Sequence, residues 1–334
     1  MPKKTIDIHK VHIANLPTPL YKLERLSELW DTDLYVKRDD LTESAITGNK
    51  CRKLEYLIGH AMSKKADTII TCGGRQSNHC RATALAAGRF GLDCHLLLRG
   101  DPPSASLDGN LLLDRIAGAE CHFIPAQDYY DDLAGHLSSI ATAVTQNGGS
   151  PYIVTEGGSD EVGSLGYVDV IPELMEQCRH QGVRPRRLVC ATGSGGTHAG
   201  LFIGTKLYGW DVEVVSMGVC YNPQETVHRI SAIVNRMIDL YKLPIQFRNS
   251  EIRVIDRVGD GYAQAGNQEF ETITTVARNE GLLLDPVYTG KAMGGLLANP
   301  VDGATIFIHT GGVFGLFPFR DQITEFLKGE SETD

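Results

Sequence analysis

Thr47-Gly48-Asn49-Lys50-Cys51-Arg52-Lys53-Leu54-Glu55-Tyr56-Leu57 puts positive charge where a helix ordinarily refuses it. From Leu54 onward the apolar residues Leu54, Leu57, Ile58, Ala61 and Met62 recur with the one-sided spacing of an amphipathic helix. Thr47 or Gly48-Asn49 supplies its start, because Thr and Asn side chains accept orphan backbone N–H groups there. The positive end of the helix dipole favours Asp or Glu, yet Lys50, Arg52 and Lys53 occupy this one. Three cations are tolerated if an anion sits among them, and helix N-termini receive phosphate readily. The same field disfavours an ammonium, so a lysine here loses its proton more easily and becomes a nucleophilic amine. A solvated basic turn is the competing reading of the segment taken alone.

Gly48-Asn49-Lys50-Cys51-Arg52-Lys53-Leu54-Glu55 resembles the Schiff-base lysine segment of fold-type II pyridoxal 5'-phosphate (PLP) enzymes. It is most similar to the group of 1-aminocyclopropane-1-carboxylate (ACC) deaminase and D-cysteine desulfhydrase. The resemblance implies that Lys50 carries the cofactor and that Lys53 helps hold its phosphate. Thr47 stands where the family often has a second glycine.

The 334 residues suffice for two cores, with 42% hydrophobic residues to fill them. A net charge of −9 argues against nucleic acid, whose binders need a basic face. No apolar run approaches membrane-spanning length, and the start Met1–Asp7 lacks an apolar signal core, so the cytoplasm is expected. Eight scattered cysteines without C-x-x-C read as reduced, mostly buried thiols. His79-Cys80, Cys94-His95 and Cys121-His122 are neighbours, but adjacent strand residues face opposite ways, and no metal is expected.

Asp67–Thr71 reads as a strand, followed by the turn Cys72-Gly73-Gly74-Arg75-Gln76-Ser77-Asn78-His79 and a helix over 81–90. Strand, glycine turn and a Ser-Asn helix cap make an anion-receiving arrangement of backbone N–H groups. Gln-Ser-Asn-His resembles the substrate-carboxylate loop of the same family. There Ser77 is a catalytic hydroxyl beside the cofactor and Asn78 bonds the cofactor's phenolic oxygen. His79 either stacks near the ring or is a satisfied helix-start histidine. Arg75 stands where related enzymes usually have an uncharged residue. It is either a solvent-facing loop arginine or the receptor for a second substrate anion such as sulfonate.

Thr192-Gly193-Ser194-Gly195-Gly196-Thr197-His198-Ala199-Gly200 follows the apolar strand Leu188–Ala191 and opens a helix over 199–207. Glycines let the backbone turn N–H groups inward, and hydroxyls add donors. The loop lacks Gly-Lys-Ser/Thr, and no acid ends the next strand, so a small phosphate group fits better than a nucleotide. It resembles the family's PLP phosphate cup, with Thr192 and Gly193–Thr197 contributing. Leu282–Met293 is very similar to the desulfhydrase version of a further motif, in which Tyr288 faces the substrate and Thr289 meets the pyridine nitrogen. Thr310 and Gly311, after the buried strand Ile306–Ile308, are placed like the family's last substrate-contacting turn.

Alternating strands and helices argue for α/β architecture with parallel sheet. The resemblance implies a tryptophan synthase β-like fold: two open, twisted, mostly parallel sheets flanked by helices. Residues 1–47 and 166–334 would form the large PLP-binding domain, and 48–165 a small inserted α/β domain. It also implies a homodimer and a small amino-acid substrate. The activity implied is β-elimination, D-cysteine with water giving pyruvate, hydrogen sulfide and ammonia, with Lys50, Ser77 and Tyr288 catalytic. ACC deaminase and L-cysteate sulfo-lyase are the rival enzymes, and a non-catalytic PLP or nucleotide sensor is the rival of another class.

Overall fold

The computed structural model describes residues 6, 8–103 and 107–331. Most of the N-terminal stretch Met1–Asp7 and the end of the acidic tail, residues 332–334, lie outside the described residues. Among the described residues ten strands form two sheets. The larger sheet has the order β1 (Leu20–Lys22), β2 (Leu34–Lys37), β10 (Thr305–Ile308), β7 (Arg187–Thr192), β8 (Glu213–Gly218) and β9 (Arg253–Asp256). Only β1–β2 is antiparallel. The smaller sheet, β5 (Glu120–Ile124), β4 (Asp93–Arg99), β3 (Thr68–Gly74) and β6 (Pro151–Ile153), is wholly parallel. Its strands come from the stretch between β2 and β7, and the division near residues 48 and 166 remains a proposal.

β7 and β10 are buried along their whole length, as apolar strands covered by helices on both faces must be. β3 runs on through Cys72-Gly73-Gly74, where a turn was expected. Bare glycines can still pair in a ladder, and Gly73 is pressed so close that a Cβ there would lie 2.6 Å from Ser77 Oγ. The chain then turns at Arg75–Ser77 into the helix Asn78–Arg89.

The lysine helix spans Asn49–Ser63, but neither Thr47 nor Asn49 caps it with a side chain. Gly48 performs the entry at φ +94, the left-handed region that a Cβ resists. A Cβ there would also stand 2.5 Å from Thr310 O, the carbonyl that accepts Asn49 N–H at 3.0 Å. The helix start thus abuts the turn after β10, and that contact brings Lys50 to the end of the larger sheet.

Arg52 does not join Lys50 and Lys53 around an anion, as the sequence suggested. Its buried guanidinium grips Asp39 at 2.8 and 2.9 Å and Glu173 at 2.9 and 3.0 Å. Tyr167 and Thr18 hydroxyls complete the shell of Asp39 at 2.7 and 2.8 Å, and Lys37 bonds Glu173. Burial alone would raise the Asp39 carboxyl, but the adjacent Arg52 holds it below the usual range. The network ties together the end of β2, the lysine helix and the helix Val170–Gln181.

Candidate active site

A cavity opens where the C-terminal ends of β3, β4, β7 and β10 converge on the lysine helix. Strand ends in open α/β sheets are where ligands bind. Of the residues singled out in the sequence, Lys50, Lys53, Ser77, Asn78, His79, Thr192, Gly193–Thr197, Tyr288, Thr310 and Gly311 all line it. Thr289 does not. Its hydroxyl donates to Asp285 Oδ1 and accepts the Asp285 N–H, both at 2.7 Å. Asp285 also takes the N–H groups of Val287, Tyr288 and Thr289, and so caps the helix Thr289–Leu297. Thr289 is thus engaged by Asp285 at the helix start, and a contact from it to a ring nitrogen stays a proposal. A helix-start Asp is itself the signal for that cap.

Lys50 lies deep in the chain yet faces the cavity, its Nζ 3.1 Å from Gly157 O. Burial lowers its pKa to about 8, against weak opposing pulls from Cys220 and Glu156. Such a lysine is a free amine about one-tenth of the time at pH 7, several hundredfold more than at its ordinary value of 10.5. Lys53 Nζ bonds the same carbonyl at 3.2 Å and Ser159 Oγ at 3.0 Å. Burial, then the charge of Lys50, pushes it well below the ordinary lysine range. An anion beside it would restore that proton.

The second glycine loop begins the helix Gly196–Tyr208 three residues earlier than expected, so the loop and the helix N-terminus are one structure. Gly195 turns at φ +96, and a Cβ on Gly196 would lie 2.7 Å from Lys53 Nζ. Ser159 Oγ, Ser194 Oγ and Gly196 N meet at 2.7 to 3.2 Å, and Asn49 Nδ2 donates to Thr197 Oγ1 at 2.9 Å. Bare backbone at a helix N-terminus, two hydroxyls and a lysine needing an anion could hold a phosphate group. Thr192 is present at the wall, but its hydroxyl bonds Ser216 Oγ at 2.6 Å, on the strand side.

Across the cavity Ser77 caps the helix Asn78–Arg89 by accepting Cys80 N–H at 3.2 Å, which leaves its proton available. Asn78 Oδ1 accepts from Asn110 Nδ2 at 3.1 Å, so its own amide N–H groups remain for the cavity. His79 Nε2 meets Thr71 Oγ1 at 2.9 Å, and that hydroxyl already donates to Val154 O. Nε2 therefore carries the proton, and Nδ1 is a bare acceptor without a partner among the described residues. Burial, then Lys50 and Lys53, holds His79 neutral. Tyr288 OH lies 2.9 Å from Tyr262 OH, and burial keeps both phenols protonated.

Tyr262, Arg99, Glu156 and Cys220 also line the cavity and carried no local signal in the sequence. Tyr262 sits in an irregular loop, and Arg99 ends β4. Arg75, by contrast, points outward, exposed, with Nη1 3.3 Å from Asp101 O. Away from the cavity, His95 Nδ1 and His122 Nε2 meet at 3.1 Å beside Glu120, with rings 9° from parallel. That head-to-head contact is an N–H···N bond between imidazoles, and burial keeps His122 below its usual range.

Residues 11–311 match the family described as pyridoxal-phosphate dependent enzyme. A Pyrococcus furiosus protein bearing the provisional name 1-aminocyclopropane-1-carboxylate deaminase is 39% identical over 95% of this chain and 96% of its own. The D-cysteine desulfhydrase of Salmonella typhi is 36% identical over 94% and 97%. A crystal structure titled as an ACC deaminase homologue shares 35% identity and superposes with a TM-score of 0.89 over 96% of both chains. The amine of Lys50, the candidate phosphate seat and this match agree: the chain belongs to the pyridoxal-phosphate-dependent enzymes, in the lyase group of ACC deaminases and D-cysteine desulfhydrases.

Proposed function

We propose that the chain is a β-eliminating lyase whose substrate is D-cysteine, converted with water to pyruvate, hydrogen sulfide and ammonia. Pyridoxal 5'-phosphate, when bound, supplies the electron sink for the carbanion at Cα. The cavity fits it: Lys53, Ser194 and the backbone of Gly193–Thr197 would hold its phosphate, Asn78 its phenolic oxygen, and Lys50 its aldehyde carbon. Lys50, with a pKa of about 8, also takes the α-proton. The first-turn N–H groups of the helix Asn78–Arg89 and the Ser77 hydroxyl seat the α-carboxylate, with Thr310 and Gly311 closing the far side. One hydroxyl of the Tyr262–Tyr288 pair must donate to the other, which leaves a proton to give to the departing sulfur.

The choice of sulfide release over ACC deamination rests on the carboxylates. Glu156 is the one acidic side chain on the cavity wall among the described residues, and Tyr129 OH holds it at 2.8 Å. Asp285, behind Tyr288, has its oxygens filled by the cap. No acid is placed to keep a ring nitrogen protonated, so the electron sink is the weaker kind. That suffices for a good leaving group such as sulfide but not for an unactivated cyclopropane. Initial rates of pyruvate formation from D-cysteine and of 2-oxobutanoate formation from ACC test this. The expected ratio of kcat/KM is at least about a hundredfold, near 2.7 kcal/mol, in favour of D-cysteine. Equal values would remove the carboxylate argument. A cytoplasmic homodimer is the setting we propose, and no helix among the described residues is long and apolar enough to cross a membrane.

A further inference from the structure

We propose that Arg99 forms a second anion subsite in the cavity, one that admits, besides D-cysteine, amino acids whose side chain ends in an oxyanionic group, sulfonate or carboxylate. Arg99 pairs in register with Gly74, at the strand end that leads to Ser77. A Cβ on Gly74 would lie 3.7 Å from Arg99 Nη2, so the guanidinium reaches over bare backbone to the cavity wall. Three tyrosine rings wall it in. Its Cζ stands 5.3, 5.0 and 5.1 Å from the centroids of Tyr129, Tyr130 and Tyr262. Aromatic faces hold a planar cation in place without neutralising it. Arg99 donates to Tyr130 OH, and no carboxylate among the described residues lies within ion-pair distance of it. Glu156, on the same wall, is held by Tyr129 and acts on Arg99 only through space, beyond hydrogen-bonding distance, so the free N–H groups of the guanidinium are not taken. A five-donor fork with a single acceptor satisfied still offers paired N–H groups to an oxyanion.

The side chain's anion suits this position better than the α-carboxylate. Orphan N–H groups of the helix Asn78–Arg89 already provide a seat for the carboxylate. Arg99 stands against Tyr262, whose hydroxyl touches that of Tyr288, and so lies on the flank where a leaving group meets its proton donor. Arg75, the cation that the sequence pointed to, is outside the cavity.

The choice of ligand rests on the elimination reading above, so the test is made with compounds that carry no amine and cannot turn over. Calorimetric titration of the PLP-loaded protein with 3-sulfopropionate, succinate and propionate separates the effects. Sulfopropionate or succinate should bind at least about tenfold tighter than propionate, as one charge-assisted fork contact provides, and the two arms show which oxyanion is preferred. Arg99→Gln should erase the advantage, Arg99→Lys should keep part of it, and Arg75→Gln should keep all of it. Should Arg99→Gln lose the cofactor's visible absorbance, the lysine variant and the wild-type comparison decide alone. Equal binding of all three ligands by the wild type, or an equal loss for propionate and sulfopropionate in the Arg99 variants, would overturn the subsite. An Arg99-dependent advantage without turnover of any sulfur amino acid would sink the elimination reading and leave the subsite standing.

Discussion

Lys50 combines two properties that the sequence suggested from one observation, a cation on a positive helix start. The fold alters the cause: burial dominates its lowered pKa. The sign is direct. The reactive species is the neutral amine, and a folded pKa of about 8 makes it abundant well below the ordinary lysine value of 10.5. Capture of added PLP by the cofactor-free protein should therefore accelerate with pH up to about 8 and level off above. A rate still climbing tenfold per unit at pH 10 would assign the amine to an unperturbed lysine. Lys50→Ala should lose the visible absorbance of lysine-bound cofactor and slow turnover by several orders of magnitude. Tyr262 yielded no reading in the sequence because a loop tyrosine resembles any other. Tyr262→Phe removes one member of the hydroxyl pair, and general-acid losses run to about 10²–10⁴-fold. The fall should appear in kcat for D-cysteine and be smaller for β-chloroalanine, whose chloride needs no proton. An equal fall for both substrates would make Tyr262 a packing residue.

At the scale of elements, what the sequence revealed and what it hid divide along the range of the interaction. Ser77 as a cap and the existence of the lysine helix are local patterns, and both were readable. The helix, however, is buried on every side from Cys51 to Gly59 and leaves Met62 exposed, so its apolar stripe did not mark its buried face. Thr289 was read only through a family motif, and its local partner Asp285, four residues earlier, went unread although both stand at the helix start. The entry of the lysine helix was assigned to side-chain caps, yet Gly48 provides it through a positive φ and a close approach to Thr310 and Gly311. That contact spans more than 250 residues of chain, and no spacing could announce it. Gly48→Ala combines a left-handed φ with a Cβ 2.5 Å from Thr310 O. A cost of about 1–3 kcal/mol is expected from the backbone strain alone. Because the strain falls beside Lys50, cofactor affinity should drop together with thermal stability. A variant with a lower Tm but unchanged PLP affinity would show that the helix start relaxes independently of the site.

Across the whole molecule, the end of β2, the lysine helix and the helix Val170–Gln181 are tied together by charges that the sequence displayed without their partners. Arg52 looked like one of three cations around an anion, with nothing in the sequence to mark Lys37 or Asp39 as members of its cluster. Their shared network with Glu173 joins positions 13 and 121 residues apart. Arg52→Ala leaves Asp39 buried without its guanidinium, a change that typically costs about 3–5 kcal/mol. Asp39 and Glu173 are both held below the ordinary carboxyl range. Their contribution is therefore complete above the unfolded carboxyl pKa and is lost as pH falls through the lower folded values. Urea midpoints of wild type and Arg52→Ala should accordingly differ most near neutrality and converge in acid. A gap that stays constant down to pH 3 would mean that the network contributes through packing rather than charge. The central claim, β-elimination driven from Lys50, is tested most directly by product stoichiometry from D-cysteine. Wild type should release pyruvate, sulfide and ammonia one for one for one, and Lys50→Ala none of them. Sulfide without matching pyruvate, or undiminished products from Lys50→Ala, would contradict it.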